Sequence, residues 1–160
     1  MISVTRRYRF PASHRLHSPQ LSEAENARIF GKCNNPFGHG HDYVLEVTAA
    51  GSVNPDTGLI LPLSKLDRLV QETVLQRFAY RNLNLDLPEF AETVPTTENM
   101  ALLIARLLER FWTAYLPDSN ACLLRVHIRE TDRNGFEVLP RALGQSHPRD
   151  SQTEGITIHA

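Results

Sequence analysis

The sequence predicts an α+β domain in which an antiparallel sheet is covered on one face by a pair of helices. Three observations carry this reading: alternating polar and apolar stretches toward both ends of the chain, two segments of helical periodicity between them, and an Asn134-Gly135 dipeptide suited to closing a hairpin. A length of 160 residues with 41% hydrophobic content supplies one core of ordinary size and leaves little room for a second. Residues 1–140 therefore read as a single domain and 141–160 as a polar tail.

The elements follow in order. From Val4 to Leu16, Val4, Arg6, Tyr8 and Phe10 share one parity and Pro11 interrupts, which suits a strand at a sheet edge. Ser18 to Asn35 is polar and irregular, with Pro19 and Gly31, and reads as a surface loop, the alternative being a short helix within Leu21 to Ile29. Gly40 to Gly51 alternates as a second strand, and Asn54-Pro55-Asp56-Thr57-Gly58 is a turn. Leu63, Leu66, Leu69, Val70, Val74 and Phe78 fall at spacings that define one helical face, with Ser64 as its N-cap. Asn82 to Pro95 is a loop. Pro95-Thr96-Thr97-Glu98-Asn99 opens a second helix with a capping hydroxyl and a first-turn carboxylate, and Pro117 stops it after about Tyr115. Ala121 to Glu130 is a strand whose dry face carries Cys122, Leu124, Val126 and Ile128, and whose wet face carries Leu123, Arg125, His127 and Arg129. Phe136 to Leu139 returns antiparallel to it. In the tail, Ile156 to His159 is the one candidate for a further edge strand.

Charge and composition exclude several classes. With 17 Lys+Arg against 18 Asp+Glu, both signs dispersed, there is no basic field for nucleic acid. No apolar run approaches the roughly 20 residues of a membrane span. The N-terminus carries no basic-then-apolar signal pattern, and two cysteines, Cys33 and Cys122, read as thiols in a reducing compartment, so a cytoplasmic setting is expected.

Seven histidines are the unusual feature of the composition. His39-Gly40-His41 opens the second strand, where residues two apart point to one face, so both imidazoles can converge on one ion. His14 ends the first strand and comes alongside them if the two strands pair. Three imidazoles with an open position form the pattern of a catalytic zinc site, whereas a structural site is closed by four ligands. An isolated H-x-H pair also occurs as two surface histidines; Gly38 and Gly40, which permit close backbone approach, and the nearby Cys33 distinguish this one. Cys33 is either a fourth ligand or, off the metal, a thiol whose pKa a dication lowers and which acts as base or nucleophile. His17 reads as a loop residue. Glu130, at a strand end, can accept paired hydrogen bonds from an amidine-like ring edge, and Thr96, Thr97 and Glu98 offer a helix N-terminus to a ligand. Each of these also has a plain structural reading, as a solvated turn and a helix cap.

Taken together, Phe10-Pro11-Ala12-Ser13-His14, Cys33-Asn34-Asn35-Pro36-Phe37-Gly38-His39-Gly40-His41-Asp42-Tyr43, Pro95-Thr96-Thr97-Glu98-Asn99 and Glu130-Thr131-Asp132-Arg133-Asn134 resemble the 6-pyruvoyltetrahydropterin synthase family, which includes the bacterial 6-carboxytetrahydropterin synthases. The resemblance covers roughly residues 2 to 140. It implies a T-fold: a four-stranded antiparallel sheet with two helices on one face, three subunits closing a barrel and two trimers stacking to a hexamer, with active sites between subunits. It implies zinc on His14, His39 and His41, Cys33 as catalytic base, and a pterin whose guanidine-like edge is anchored by Glu130 with help from Thr96, Thr97 and Glu98. The substrate implied is 7,8-dihydroneopterin triphosphate or a close relative. Elimination of triphosphate gives 6-pyruvoyltetrahydropterin; the bacterial variant loses a two-carbon fragment and leaves 6-carboxytetrahydropterin, on the path to queuosine.

One stretch departs from that pattern. After the first helix the family carries Leu-Asp-His-Lys-Asn-Leu, whose Asp-His pair completes a proton relay with the cysteine. Here the matching residues are Phe78-Ala79-Tyr80-Arg81-Asn82-Leu83, so neither relay residue is present. His41 is followed by Asp42, where the family commonly has Asn or Ser. Two readings result: a zinc-dependent pterin lyase working without the usual relay, and a slow or non-catalytic homologue that binds zinc and pterin.

Overall fold

The computed structural model describes residues 2–140. The tail, including the candidate strand at Ile156 to His159, lies outside the described residues. The chain runs β1 (Ile2–His14), α1 (Glu23–Phe30), a 3-10 turn (Gly31–Asn34), β2 (His39–Gly51), α2 (Leu63–Val70), a π turn (Gln71–Leu75), α3 (Gln76–Phe78), β3 (Arg81–Asn82), α4 (Leu83–Asp86), a 3-10 turn (Pro88–Phe90), α5 (Thr97–Tyr115), β4 (Cys122–Arg129) and β5 (Gly135–Val138). The strands form one open sheet in the order β3-β1-β2-β4-β5.

The architecture is the expected α+β one, with five strands where four were expected. The addition is β3, two residues that pair parallel to β1 at Ala12 and Ser13. It was illegible because it has no pattern of its own: the Tyr80 N–H donates to the Pro11 carbonyl at 2.7 Å and lays the next two residues against the β1 edge. The other pairings, β1 with β2, β2 with β4, and β4 with β5, are antiparallel.

Alternation decides which sheet face meets the helices. Phe10, Ala12 and His14 of β1, Tyr43, Leu45, Val47 and Ala49 of β2, and Val126 and Ile128 of β4 are buried on one face. All of these but His14 join Leu66, Leu69, Val74 and Phe78 of the α2–α3 stretch and Met100, Ile104, Leu108 and Trp112 of α5 in a single apolar cluster. The opposite face is charged: Glu46 pairs with Arg7 at 2.7 Å, and Arg125 pairs with Glu137 at 3.2 Å.

Four local expectations are corrected. Ser18 to Asn35 is not simply a loop, since Ser22 caps α1 and forms a reciprocal capping box with Glu25. That helix buries only Asn26, whose amide bonds the Ser18, Leu21 and Ser22 carbonyls, so it lacked the apolar stripe that marks helices in sequence. Ser64 does not cap α2: the helix begins at Leu63, and the Pro62 carbonyl accepts from Lys65 and Leu66. Asn82 to Pro95 holds β3, α4 and a 3-10 turn, with Asn82 capping α4 through the Asn84 N–H. Cys122 does not belong to the dry face. The register passes from Thr48 opposite Arg125 to Ala49 opposite Leu123, leaving Leu124 as a bulge that reverses the parity, so Leu123 is buried and Cys122 half-buried.

Candidate active site at the end of the central strands

Strand register alone assembles the histidine cluster. His14 lies opposite His39, and Ala12 opposite His41, so all three imidazoles share the core-facing side where β1 ends and β2 begins. One ring nitrogen from each lies within 4.8 Å of those of the other two. Among the described residues this is the one group of three or more His, Cys, Asp or Glu side chains so arranged. Gly38 makes the approach feasible: its φ is +68°, and a Cβ there would stand 2.8 Å from the His14 carbonyl oxygen.

The rings are set for coordination. His14 is 1% exposed and its Nδ1–H donates to the Pro95 carbonyl at 2.8 Å, which leaves Nε2 with the lone pair, 3.2 Å from His39 Nε2. Buried His39 Nδ1 and His41 Nε2 make no hydrogen bond, a costly condition for the protein alone and one that an ion relieves. Burial holds the pKa of His14 and His39 below the ordinary imidazole range, which keeps them in the neutral form a metal requires. The donor set fits zinc: three borderline nitrogen ligands, with room for a fourth ligand of another kind.

Glu130 arrives from the turn after β4, where its N–H donates to the Asn134 carbonyl at 3.0 Å. Its Oε1 accepts from Thr97 Oγ1 at 2.6 Å and lies 3.7 Å from both His14 Nε2 and His41 Nε2. Thr97 is the first residue of α5 and is buried, whereas Thr96 is spent on capping, its hydroxyl accepting from Asn99 N at 3.2 Å. Glu98 is exposed on the first turn. The structure thus brings Glu130 and Thr97 to the histidines, uses Thr96 for the helix and turns Glu98 to solvent.

Cys33 sits in the 3-10 turn after α1, half-buried, and its carbonyl accepts from Leu16 N at 2.8 Å, tying the turn to the chain leaving β1. Its thiol is pushed up, first by burial and then by the Glu130 charge. This is the reverse of the lowering expected beside a dication, because in the protein alone burial and the Glu130 carboxylate both disfavour the thiolate. Cys33 is not joined to Cys122 in a disulfide. His17 is held at 3.0 Å from Asn34 Oδ1, and His127 faces Glu46 on the charged side of the sheet. His147 and His159 lie outside the described residues.

Sequence reasoning missed Tyr43. It is fully buried, stacks on Phe10, meets the His41 ring at 5.5 Å between centroids, and its hydroxyl makes no hydrogen bond. Burial and the Glu130 charge hold that phenol well above its usual pKa. The signal was available, since Tyr43 follows His41 by two and shares its face. Tyr80 stands apart, 87% exposed with φ +62°. It rims a cleft of about 620 Å³ that reaches His41 and Asp42 and is bounded by Ser13 and Asp86.

Comparison with known proteins accounts for this geometry. The family model described as 6-pyruvoyl tetrahydropterin synthase matches residues 3–141. The human 6-pyruvoyl tetrahydrobiopterin synthase is 44% identical over 131 residues, 82% of this chain and 86% of the human one, and the Poecilia reticulata protein of the same name is 42% identical over 82% and 85%. The solved Caenorhabditis elegans 6-pyruvoyl tetrahydropterin synthase superposes with a TM-score of 0.76 at 38% identity, covering 86% of this chain and 94% of that one. Similarity of this depth, across sequence and backbone alike, means that the chain belongs to the 6-pyruvoyl tetrahydropterin synthase family.

Proposed function

We propose that the chain is a zinc-dependent pterin synthase, a lyase that acts on 7,8-dihydroneopterin triphosphate or a close relative and eliminates triphosphate to leave 6-pyruvoyl- or 6-carboxy-tetrahydropterin. The observation that carries this reading is the meeting of three clustered histidines with a threonine-held carboxylate on one sheet end. His14, His39 and His41 would hold the ion. Zinc bound there supplies Lewis-acid polarisation of the substrate's side-chain oxygens, which acidifies the adjoining C–H bonds.

The chain's own residues do the rest. Glu130 offers carboxylate oxygens to the N–H donors of the pterin's guanidine-like edge, a charge-assisted pairing that fixes the ring's orientation, and Thr97 keeps the carboxylate from rotating away. Thr96 supports it by ending α5 at that point, and exposed Glu98 contributes to the ligand from the first turn. Cys33, as thiolate, takes a proton from the side-chain carbon and returns it one atom along. In this reading three sheets close into a barrel and two trimers stack to a hexamer, so that a neighbouring subunit completes each site. The setting is cytoplasmic, and neither nucleic acid nor membrane is a partner; no helix among the described residues is long and apolar enough to cross a membrane.

A second reading rests on one observation: Ala79 and exposed Tyr80 stand where the family's Asp-His relay is expected. General acid-base help is worth about 10² to 10⁴ in rate, so its loss would leave a slow enzyme or a pterin binder. Turnover of 7,8-dihydroneopterin triphosphate by zinc-loaded protein, with products identified by mass spectrometry, separates the two. Turnover abolished by Cys33→Ala establishes the lyase. Turnover only in Ala79→Asp/Tyr80→His establishes the slow homologue, and inactivity of both with no reduced-pterin binding refutes both.

A further inference from the structure

We infer that the end of the sheet away from the histidines carries a second binding site, one for a small zwitterion with an apolar side chain, of the class of a free α-amino acid. The inference is independent of the proposed reaction. A cavity of about 220 Å³ lies between the loop joining β2 to α2 and the turn joining α5 to β4, with Leu61 and Leu116, each 3% exposed, among its walls. The histidines open β2 at His39 and this loop follows its end at Gly51, so 13 residues of strand, about 40 Å at 3.3 Å per residue, separate the two places.

Hydrogen bonds fix the walls. The Asn54 N–H donates to the Leu59 carbonyl at 2.9 Å, and the Asn54 side chain accepts from the Thr57 N–H at 3.0 Å, which closes the loop on itself. Ser119 Oγ donates to the Ile60 carbonyl at 3.4 Å and so ties the α5–β4 turn to that loop. A preformed space of this kind costs a ligand little ordering. Its volume is below the about 300–1,000 Å³ of sites for drug-sized molecules, which suits a ligand of a few carbons.

Charge decides which ligand fits. Lys65 lines the cavity from the first turn of α2, a helix end with no acidic residue in that turn and no side-chain cap, so dipole and ammonium both favour an anion there. Asp118 lines it from the α5–β4 turn, two residues beyond the C-cap of α5, whose last turn holds no basic residue, so dipole and carboxylate both favour a cation. Neither side chain has a hydrogen-bond or ion-pair partner among the described residues, and the two do not reach each other. A cavity with one positive pole, one negative pole and apolar walls matches a carboxylate, an ammonium and a hydrocarbon side chain on one small molecule.

The test is isothermal calorimetry of the full chain with L-leucine and L-phenylalanine as probes. A dissociation constant below about 1 mM is expected for at least one of them. Three fragments are expected to bind about tenfold or more weakly: 4-methylpentanoate, which lacks the ammonium, 3-methylbutylamine, which lacks the carboxylate, and glycine, which lacks the side chain. Lys65→Gln and Asp118→Asn change exposed side chains and should each weaken the amino acid about tenfold or more, and Thr57→Trp, which fills the cavity from its exposed rim, should abolish binding. No heat with either probe at about 10 mM overturns the inference. Affinity unchanged in both charge variants also overturns it, because the amino acid is then bound elsewhere, such as on a metal. Equal affinity for leucine and 4-methylpentanoate overturns the zwitterion by removing Asp118 from the site. Pterin turnover is a readout in none of these arms, so their failure leaves the proposed reaction standing.

Discussion

Replacing Gly38 by alanine tests how the backbone builds the site. Gly38 has φ +68°, a conformation that costs an L-residue about 1–2 kcal/mol because its Cβ crowds a neighbouring carbonyl. At Gly38 there is a second cost: the added Cβ would lie 2.8 Å from the His14 carbonyl oxygen, closer than real Cβ atoms come, and a tight 3.2 Å from its carbon. Gly58 supplies the control, with φ +70° and nothing within 4 Å of an added Cβ. Gly58→Ala is therefore expected to lose about 1–2 kcal/mol in urea unfolding followed by circular dichroism, with zinc affinity unchanged. Gly38→Ala should lose more, because the strand end must move by a few tenths of an ångström, and the residue that moves is His14. A ligand displaced in this way is expected to weaken zinc about 10 to 100-fold in chelator competition. If the two alanine variants match in both stability and zinc affinity, the close approach of Gly38 to His14 does not shape the site and the reasoning fails.

Two further outcomes follow from the electrostatics. In metal-free protein carrying Cys122→Ser, Glu130→Gln is expected to shift the pH profile of Cys33 alkylation to lower pH, because it removes one of the two causes that raise the thiol; an unmoved profile would show that burial alone sets it. Metal-free protein is also expected to lose stability on acidification. The folded pKa values of His14 and His39 lie below the unfolded value of 6.5, so the unfolded state takes up protons first; the contribution is complete above pH 6.5 and is lost as pH falls through the lowered folded values. Urea midpoints across that window check it in the unmutated protein and in His14→Gln, where the acid loss should shrink.

What the sequence disclosed and withheld follows the physics of each signal. The α2–α3 and α5 stripes were legible because burial against the sheet imposes a period on one element alone, and Thr96 was legible as a cap because its partner is three residues away. The bulge at Leu124 was not, since a parity reversal is a property of two strands and only one was being read. The α1 capping box, Ser22 to Glu25, was present in the letters, but a helix that buries an asparagine gives no hydrophobic face to count. At the site, His39 and His41 announced themselves by strand spacing and Cys33 by motif. Glu130 was expected to meet a ligand and not the histidines, because its approach depends on where β4 ends relative to β1, 33 residues beyond Thr97 in the chain.

Tyr80 shows how these levels interact. A non-glycine residue at φ +62° persists only where its surroundings over-determine it, and here the determinants are the Pro11 carbonyl on one side and the β3 pairing on the other. The same hydrogen bond that turns the chain into β3 therefore presents the phenol outward at the rim of the cleft that reaches His41. In the family pattern the two residues at this turn carry a proton relay toward a neighbouring subunit's thiol. This chain keeps the turn and changes the chemistry at its tip: Ala79 cannot titrate, and Tyr80 brings a large ring with a single hydroxyl. A turn held by backbone bonds tolerates exchange at Tyr80, whose ring is exposed, while Ala79 packs its methyl against the core. The fold and the histidine cluster can thus persist while the residues at this one turn diverge from the family pattern.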